Sequence, residues 1–298
     1  MAHDHNHDHA PSSDTPLRAL LVALAVTATV FVAELVGGWL AGSMALMADA
    51  MHMLSDAAGL IIAVLAVLVG RKRASRHATY GYRRVEVLAA LVNAVLVLAI
   101  SVWIVVEAIR RLREPADVHG GTMLLIAVIG FAANGISAWV LHGHRGDSIN
   151  VRGAFLHVLV DLLGSAAVIV AGIVVMATGV AVADAVASLI IAALVLPRAW
   201  QLMRQSAGVL LEQVPEGFRT AEVEEALRAT AGVADIHDLH LWSLDGVNVL
   251  ATVHVVGAAG TDSGPLLDAV QHALRELGIE HSTIQIERPE HESHEQVC

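Results

Sequence analysis

Two short stretches carry the residue types that do chemistry in an otherwise apolar setting. In His52-Met53-Leu54-Ser55-Asp56, and again in His157-Val158-Leu159-Val160-Asp161, an imidazole precedes a carboxylate by four residues. On a helix, positions i and i+4 share one face. Two such faces turned toward each other offer two nitrogens and two oxygens, a four-coordinate set suited to Zn²⁺. An acidic side chain at the centre of a membrane helix costs roughly 2.5 to 3.5 kcal/mol on insertion scales, which makes such residues functional candidates. The same atoms take protons. Imidazole titrates near ~6.5 and must be neutral to hold a metal, so metal and H⁺ compete for one set of ligands. A packing hydrogen bond or a gate would explain one pair, but is a poor account of two with the same spacing and order.

The elements that hold these pairs follow from composition and pattern. The 298 residues are 56% hydrophobic, above a soluble norm of roughly 45 to 50%, and the mean hydropathy is +0.64. The chain reads as an integral, multi-pass membrane protein in a lipid bilayer. Six apolar segments, each near the ~20 residues a spanning helix needs, fall at 17–40, 44–69, 86–109, 120–142, 153–177 and 183–203. With the N-terminus cytoplasmic, that side collects eleven basic residues: Arg18, Arg71, Lys72, Arg73, Arg76, Arg83, Arg84, Arg145, Arg152, Arg198 and Arg204. The other side collects Arg110, Arg111 and Arg113, which are expected to pair with Glu107 and Glu114 or to bind headgroups. The asymmetry places both termini in the cytoplasm, and the membrane is the plasma (inner) membrane if the source is bacterial.

Other features narrow the class. The single cysteine, Cys298, excludes an internal disulfide framework and a Cys-rich zinc module. A formal net charge of -11 suits a protein that handles divalent cations and gives no reason to expect nucleic acid as a partner. Residues 1–16 form a His-rich tail, expected to be disordered, with His3, His5, His7 and His9 at alternate positions. No cleavable signal peptide is expected there. Within the apolar segments, Asp49 sits one turn before His52 and reads as a packing or capping residue, or as a ligand on the ion pathway. Glu34, Asn93, Asn134 and Asp184 are expected to line the cavity or tie helices together rather than to bind metal.

The predicted domains are the tail 1–16, a six-helix transmembrane domain 17–208, a small α+β cytoplasmic domain 209–289 and a polar tail 290–298. In the third, Ala221–Ala231 and Ser263–Leu277 have helical periodicity, while Asp235–Leu244, Val247–Val256 and Ser282–Glu287 read as strands, giving the order αββαβ. Asp245-Gly246 fits a two-residue hairpin turn. A ladder folded about that turn sets His237 opposite His254, close enough to share a metal, and puts His240 on the other face.

These segments resemble the cation diffusion facilitator family of zinc-exporting transporters. The resemblance is carried by SMALMADAMHMLSDAAGL, ATYGYRRVEVLAALVN, SINVRGAFLHVLVDLLGSAAVIVAG, DIHDLHLWSLDG and EHSTIQIE, in that order. It implies a homodimer, a ferredoxin-like cytoplasmic domain that makes dimer contacts, and Zn²⁺ efflux in exchange for H⁺ by alternating access. It further implies that His52, Asp56, His157 and Asp161 form the transport site, with His in first place as in zinc-type members. Cytoplasmic positions matching family metal sites are His237, His240, His254, His281 and Glu287, of which His237 and His254 are preferred. Arg83 stands where zinc-type eukaryotic members have a histidine; His77 lies nearby, and an interfacial site using it, approached by His281, stays open. Two other classes fit the same quartet: an intramembrane zinc-dependent hydrolase and a membrane metal sensor without transport. The hydrolase is disfavoured because hydrolytic zinc sites keep an open water position.

Overall fold

The computed structural model describes residues 14–54, 75–142 and 149–289. The His-rich tail, Asp56, the segment containing His144 and the polar C-terminal tail lie outside the described residues. The chain divides into two compact units, 1–58 with 96–199 and 59–95 with 200–298.

The long helices are α1 (Asp14–Ala41), α3 (Arg84–Arg113), α4 (Gly120–His142), α5 (Ile149–Thr178) and α6 (Val182–Leu210), with α2 described over Met44–Leu54. Four are long and apolar enough to cross a membrane: Arg84–Arg113, Gly120–His142, Val158–Thr178 and Val182–Leu210. Ala25–Ala41 and Met44–Leu54 are shorter apolar helices among the described residues. Four clear spans and two shorter helices are thus what stands behind the six expected from sequence.

Small residues on a stripe explain how the helices approach. The buried face of α4 runs through Met123, Ala127, Gly130, Asn134, Ser137, Ala138 and Leu141, the i, i+3, i+4 spacing of one helix face. A Cβ on Gly120 would lie 2.8 Å from the Met176 backbone nitrogen, and one on Gly172 would lie 3.3 Å from Leu124 Cα. Only glycine allows α4 and α5 this proximity. The faces turned away from the bundle carry exposed Trp39, Leu125, Trp139 and Leu163, as expected of surfaces solvated by lipid.

The turn between α1 and α2 is fixed by polar contacts. Gly42 adopts φ 67°, a conformation that favours glycine. Ser43 is the N-cap of α2, its Oγ accepting from Leu46 N–H at 3.2 Å. The remaining helix-start donors go to Asp184 of α6. Met44 N–H reaches Oδ2 at 2.8 Å and Ala45 N–H reaches Oδ1 at 3.1 Å, while Ser43 Oγ donates to Oδ1 at 2.6 Å. Arg111 of α3 donates to the Gly42 carbonyl at 2.6 Å and to Glu107 at 3.1 Å, and lies 3.9 Å from Asp184. Arg110 also pairs with Glu107, at 3.6 Å. Arg110 and Arg111 thus pair with Glu107, as expected, and Arg111 also binds the turn; Glu114 takes no share in these pairs among the described residues.

The second unit contains α7 (Thr220–Arg228), β1 (Val233–Ser243), β2 (Val249–Gly257), α8 (Ser263–Glu276) and β3 (His281–Glu287). The strands are ordered β1-β2-β3, with β1 antiparallel and β3 parallel to β2. Ile236, Leu241, Ala251, Val253 and Val255 face the helices, packed with Leu227, Val270 and Leu274 into one core.

The hairpin differs from the two-residue turn read from sequence. The strands end at the Ser243–Val249 pair, so the connection has residues 244–248. Ser243 Oγ accepts from Asp245 and Gly246 N–H and donates to the Asn248 carbonyl, while the Asp245 carboxylate takes both Val247 and Asn248 N–H. These side chains satisfy the loop that a tighter turn would satisfy with backbone alone. The shift this introduces is undone by a bulge between His237 and His240, where Asp238 has φ 54°. His237 therefore does face His254, as expected, but His240 pairs with Thr252. Thr252 and His254 share a face, so the bulge brings His240 to the same side as His237, against expectation.

Partial burial of Asp245 opposes its charge, but the Asn248 backbone and side-chain donors, Val247 N–H and the Arg83 guanidinium hold its carboxyl below the usual carboxylate range. A depressed folded-state value means that its contribution is complete above about pH 4 and is lost as pH falls below that. Acid unfolding of the Asp245→Asn protein should lack this component; an unchanged acid limb would locate the sensitivity elsewhere.

Candidate metal sites

The first site lies between α2 and α5. His52 is 8% exposed and Asp161 1%, and His52 Nε2 lies 3.6 Å from Asp161 Oδ1. One turn along α2, the Asp49 carboxylate accepts from Ser165 Oγ of α5 at 3.2 Å, and a Cβ on Gly164 would lie 2.6 Å from Asp49 Oδ1. The helices are therefore antiparallel, with His52 level with Asp161 and Asp49 level with Gly164 and Ser165. Asp49 makes the packing hydrogen bond that was one of its two readings. His52 also lines a narrow crevice with Ala48, Val97, Ser101, Ile104 and Ile191. His157 lies on α5 one turn before Asp161, with its side chain outside the described set, as is Asp56.

One residue that pattern reading set aside as a cavity liner comes into this region. Glu34 of α1 is fully buried and interacts electrostatically with Asp49 and Asp161. Its oxygens rest where Gly130 of α4 leaves no side chain. The signal in the sequence was a lone Glu inside an apolar helix, and nothing in the spacing related it to the other helices.

The second site is on the sheet face away from the helices. His237, His254 and Glu287 each present a ligand atom, all within 4.8 Å of one another. His237 Nε2 is 3.0 Å from Glu287 Oε2, and His254 Nδ1 is 2.9 Å from Oε1. The second contact lacks hydrogen-bond geometry. The imidazoles meet edge-on, their centroids 4.9 Å apart. Gln285 Nε2 donates to Glu287 Oε1 at 2.8 Å. Burial pushes the Glu287 carboxyl up, but the hydrogen bonds from His237 and Gln285 and the charges of His237 and His254 hold it below its ordinary range. Two imidazoles and a carboxylate fit Zn²⁺ with a fourth position left for another donor.

The remaining sequence candidates do not join this cluster. His240 Nε2 is engaged by Asp238 Oδ1 at 3.0 Å. His281 pairs with Leu250, and Gln285 pairs with His254, so four residues of strand, roughly 13 Å at ~3.3 Å each, separate His281 from the triad. His77 lines a cleft of about 700 Å³ together with Tyr80, Arg84, Glu212, His240 and Trp242. That cleft brings His77 beside the strand of His240 rather than to His281. Arg83, where a histidine would serve an interfacial site, lies 3.6 Å from Asp245.

Comparison with known proteins matches both parts of the chain to a family. Residues 20–211 match the family described as cation efflux transmembrane domain, and residues 215–289 match the cation efflux protein cytoplasmic domain. The zinc transporter ZitB of Escherichia coli (strain K12) is 44% identical, covering 96% of this chain and 93% of its own. The metal cation efflux system protein CzcD of Cupriavidus metallidurans is 40% identical over 96% of this chain and 90% of its own. A cadmium, cobalt and zinc/H⁺-K⁺ antiporter of Bacillus velezensis is 39% identical over 96% and 93%. These three are named as a transporter, an efflux system protein and an antiporter, none as an enzyme. The motifs first noticed around His52 and His157 are thus part of a kinship that runs almost end to end, and the chain belongs to the cation efflux family of multi-pass membrane proteins.

Proposed function

We propose that the protein is a secondary active transporter that exports Zn²⁺ from the cytoplasm in exchange for H⁺, with Cd²⁺ and Co²⁺ as further substrates. The observation that carries this reading is the His52–Asp161 contact at 3.6 Å between buried side chains of antiparallel apolar helices. Asp56 and His157, each four residues from a member of that contact in the sequence, complete the proposed set of four donors. A closed shell without thiolates suits an ion that must be loaded and released, and H⁺ competes for the same atoms. The names of the relatives favour the same metals.

The accompanying topology is six spans with both termini cytoplasmic, in the inner membrane of a bacterium, and the chain works as a homodimer through its cytoplasmic domain. In that domain His237, His254 and Glu287 hold a Zn²⁺ that ties the three strands together. Purified full-length protein in proteoliposomes should take up Zn²⁺ when the pH gradient is imposed and not when it is collapsed. Uptake indifferent to the gradient would remove proton exchange, and no uptake would remove transport. For the cytoplasmic triad, His237→Ala should lower the zinc bound by full-length protein by about one ion per chain. An unchanged stoichiometry would show that the triad holds no metal.

A further inference from the structure

We infer that Gln285 is the positioning residue of the cytoplasmic metal site, holding Glu287 as a one-oxygen donor and so favouring a small four-coordinate ion over a larger one. The inference rests on the triad reading given above. The sheet register sets three residues in a row: His237 of β1 opposite His254 of β2, and His254 opposite Gln285 of β3. Glu287 stands two residues beyond Gln285 on β3, and therefore on the same face.

Each oxygen of the Glu287 carboxylate is engaged by a different residue. Gln285 Nε2 donates to Oε1 at 2.8 Å, and His237 Nε2 lies 3.0 Å from Oε2. An ionised carboxylate only accepts, so the amide nitrogen is the end of Gln285 that must face it. The Glu287 side chain is 2% exposed, and the Gln285 amide gives it the hydrogen bond that solvent gives a surface carboxylate. His254 Nδ1 is 2.9 Å from Oε1 without hydrogen-bond geometry, a buried nitrogen aimed at the same carboxylate.

This arrangement makes the two oxygens unequal. Neutral His237 Nε2 and Oε2 become donors together once their mutual hydrogen bond is given up, whereas Oε1 stays bound to Gln285. A carboxylate that offers one oxygen beside two imidazoles matches the four-coordinate shell of Zn²⁺ or Co²⁺. Larger ions such as Cd²⁺ accommodate more ligands, and a carboxylate offering both oxygens suits them better. Gln285 therefore acts on the ion through Glu287.

The test uses full-length protein, and the cytoplasmic site is read as the bound ion that His237→Ala loses. Gln285→Leu is close in size but has no donor. At that site it should bind zinc about 10- to 100-fold more weakly, and the preference for Zn²⁺ over Cd²⁺ should fall about ten-fold. With Co²⁺ as the probe, the visible absorption, intense in a four-coordinate site, should weaken as Glu287 turns to offer both oxygens. The metal-free Tm in detergent should match wild type, because Gln285 is half-buried on an edge strand. If Gln285→Leu fails to fold, Gln285→Thr, a strand former too short to reach Glu287, should show the same three changes. Unchanged zinc affinity and an unchanged Co²⁺ spectrum would overturn the inference. Equal losses for Zn²⁺ and Cd²⁺ would also overturn it, since they would mark a general loosening of the sheet. A His237→Ala protein that keeps every bound ion would remove the triad itself and the role of Gln285 with it, a result distinct from either of these.

Discussion

Zinc uptake into proteoliposomes should fall to background when His52 or Asp161 is replaced by alanine, while the purified protein remains folded. On the proposed reading each side chain supplies one donor to a site buried between α2 and α5. His52 is 8% and Asp161 1% exposed. Losing His52 leaves carboxylates facing one another without the neutral nitrogen that makes the set selective for borderline ions. Losing Asp161 removes the charge that offsets the dehydration of the ion. Neither change opens a large cavity, and Asp161→Ala removes a buried charge, so the fold survives. Near-normal flux in either variant would move the site elsewhere. His52→Asp should retain flux but shift the ion ranking toward larger or harder ions such as Cd²⁺ or Mn²⁺; an unchanged ranking would show that His52 does not set selectivity.

Asp184→Ala should destabilise the membrane unit more than any other single polar truncation outside the transport site. The carboxylate takes one hydroxyl and two backbone donors at the start of α2, at 2.6 to 3.1 Å, and faces Arg111, which is itself largely buried. Truncation leaves two helix-start N–H groups without their acceptor and removes one of the two carboxylates facing Arg111, which keeps Glu107. Leaving a buried donor unsatisfied costs about 1 to 3 kcal/mol, and a lost helix cap about 1 kcal/mol. The Tm in detergent should fall by several degrees. Asp184→Asn, which keeps one carbonyl acceptor and the shape, should fall less. A Tm within error of wild type for the alanine variant would show that Ser43 caps α2 unaided. Zinc affinity at His52 should weaken in step, because the same helix start fixes the position of that side chain.

The His52–Asp161 contact was legible in the sequence because helical periodicity is a strict ruler: four residues always return to the same face, whatever the helix packs against. The antiparallel register that sets His52 level with Asp161 followed from the count of spans. Glu34 was legible only as an anomaly, since no sequence rule states which face of α1 turns to α4, and Gly130 is one small residue among many. In the cytoplasmic domain all five elements were readable in type and order. The pairing of His237 with His254 was reached through a turn that does not form, and the bulge at Asp238 restores the same register. Bulges leave little trace in composition, so the face assigned to His240 came out inverted. Glu287 was placed among the candidates by resemblance, but its reach to both histidines depends on the parallel pairing of β2 with β3, a long-range choice that local pattern does not encode.

The cap at the start of α2 also bears on movement. With Met44 and Ala45 held by Asp184 from α6, and Gly42 held by Arg111 from α3, this end of α2 is pinned, and a swing of the described helix would turn about it. His52 stands eight residues along it, about 12 Å from the pivot at 1.5 Å per residue. A swing of roughly 10° about that point carries His52 some ~2 Å, a displacement of the size seen at helix contacts that switch between two states. That is enough to part it from Asp161. Displacement grows with distance from the pinned cap, so any such swing moves His52 farther than Asp49, which stands three residues nearer to it.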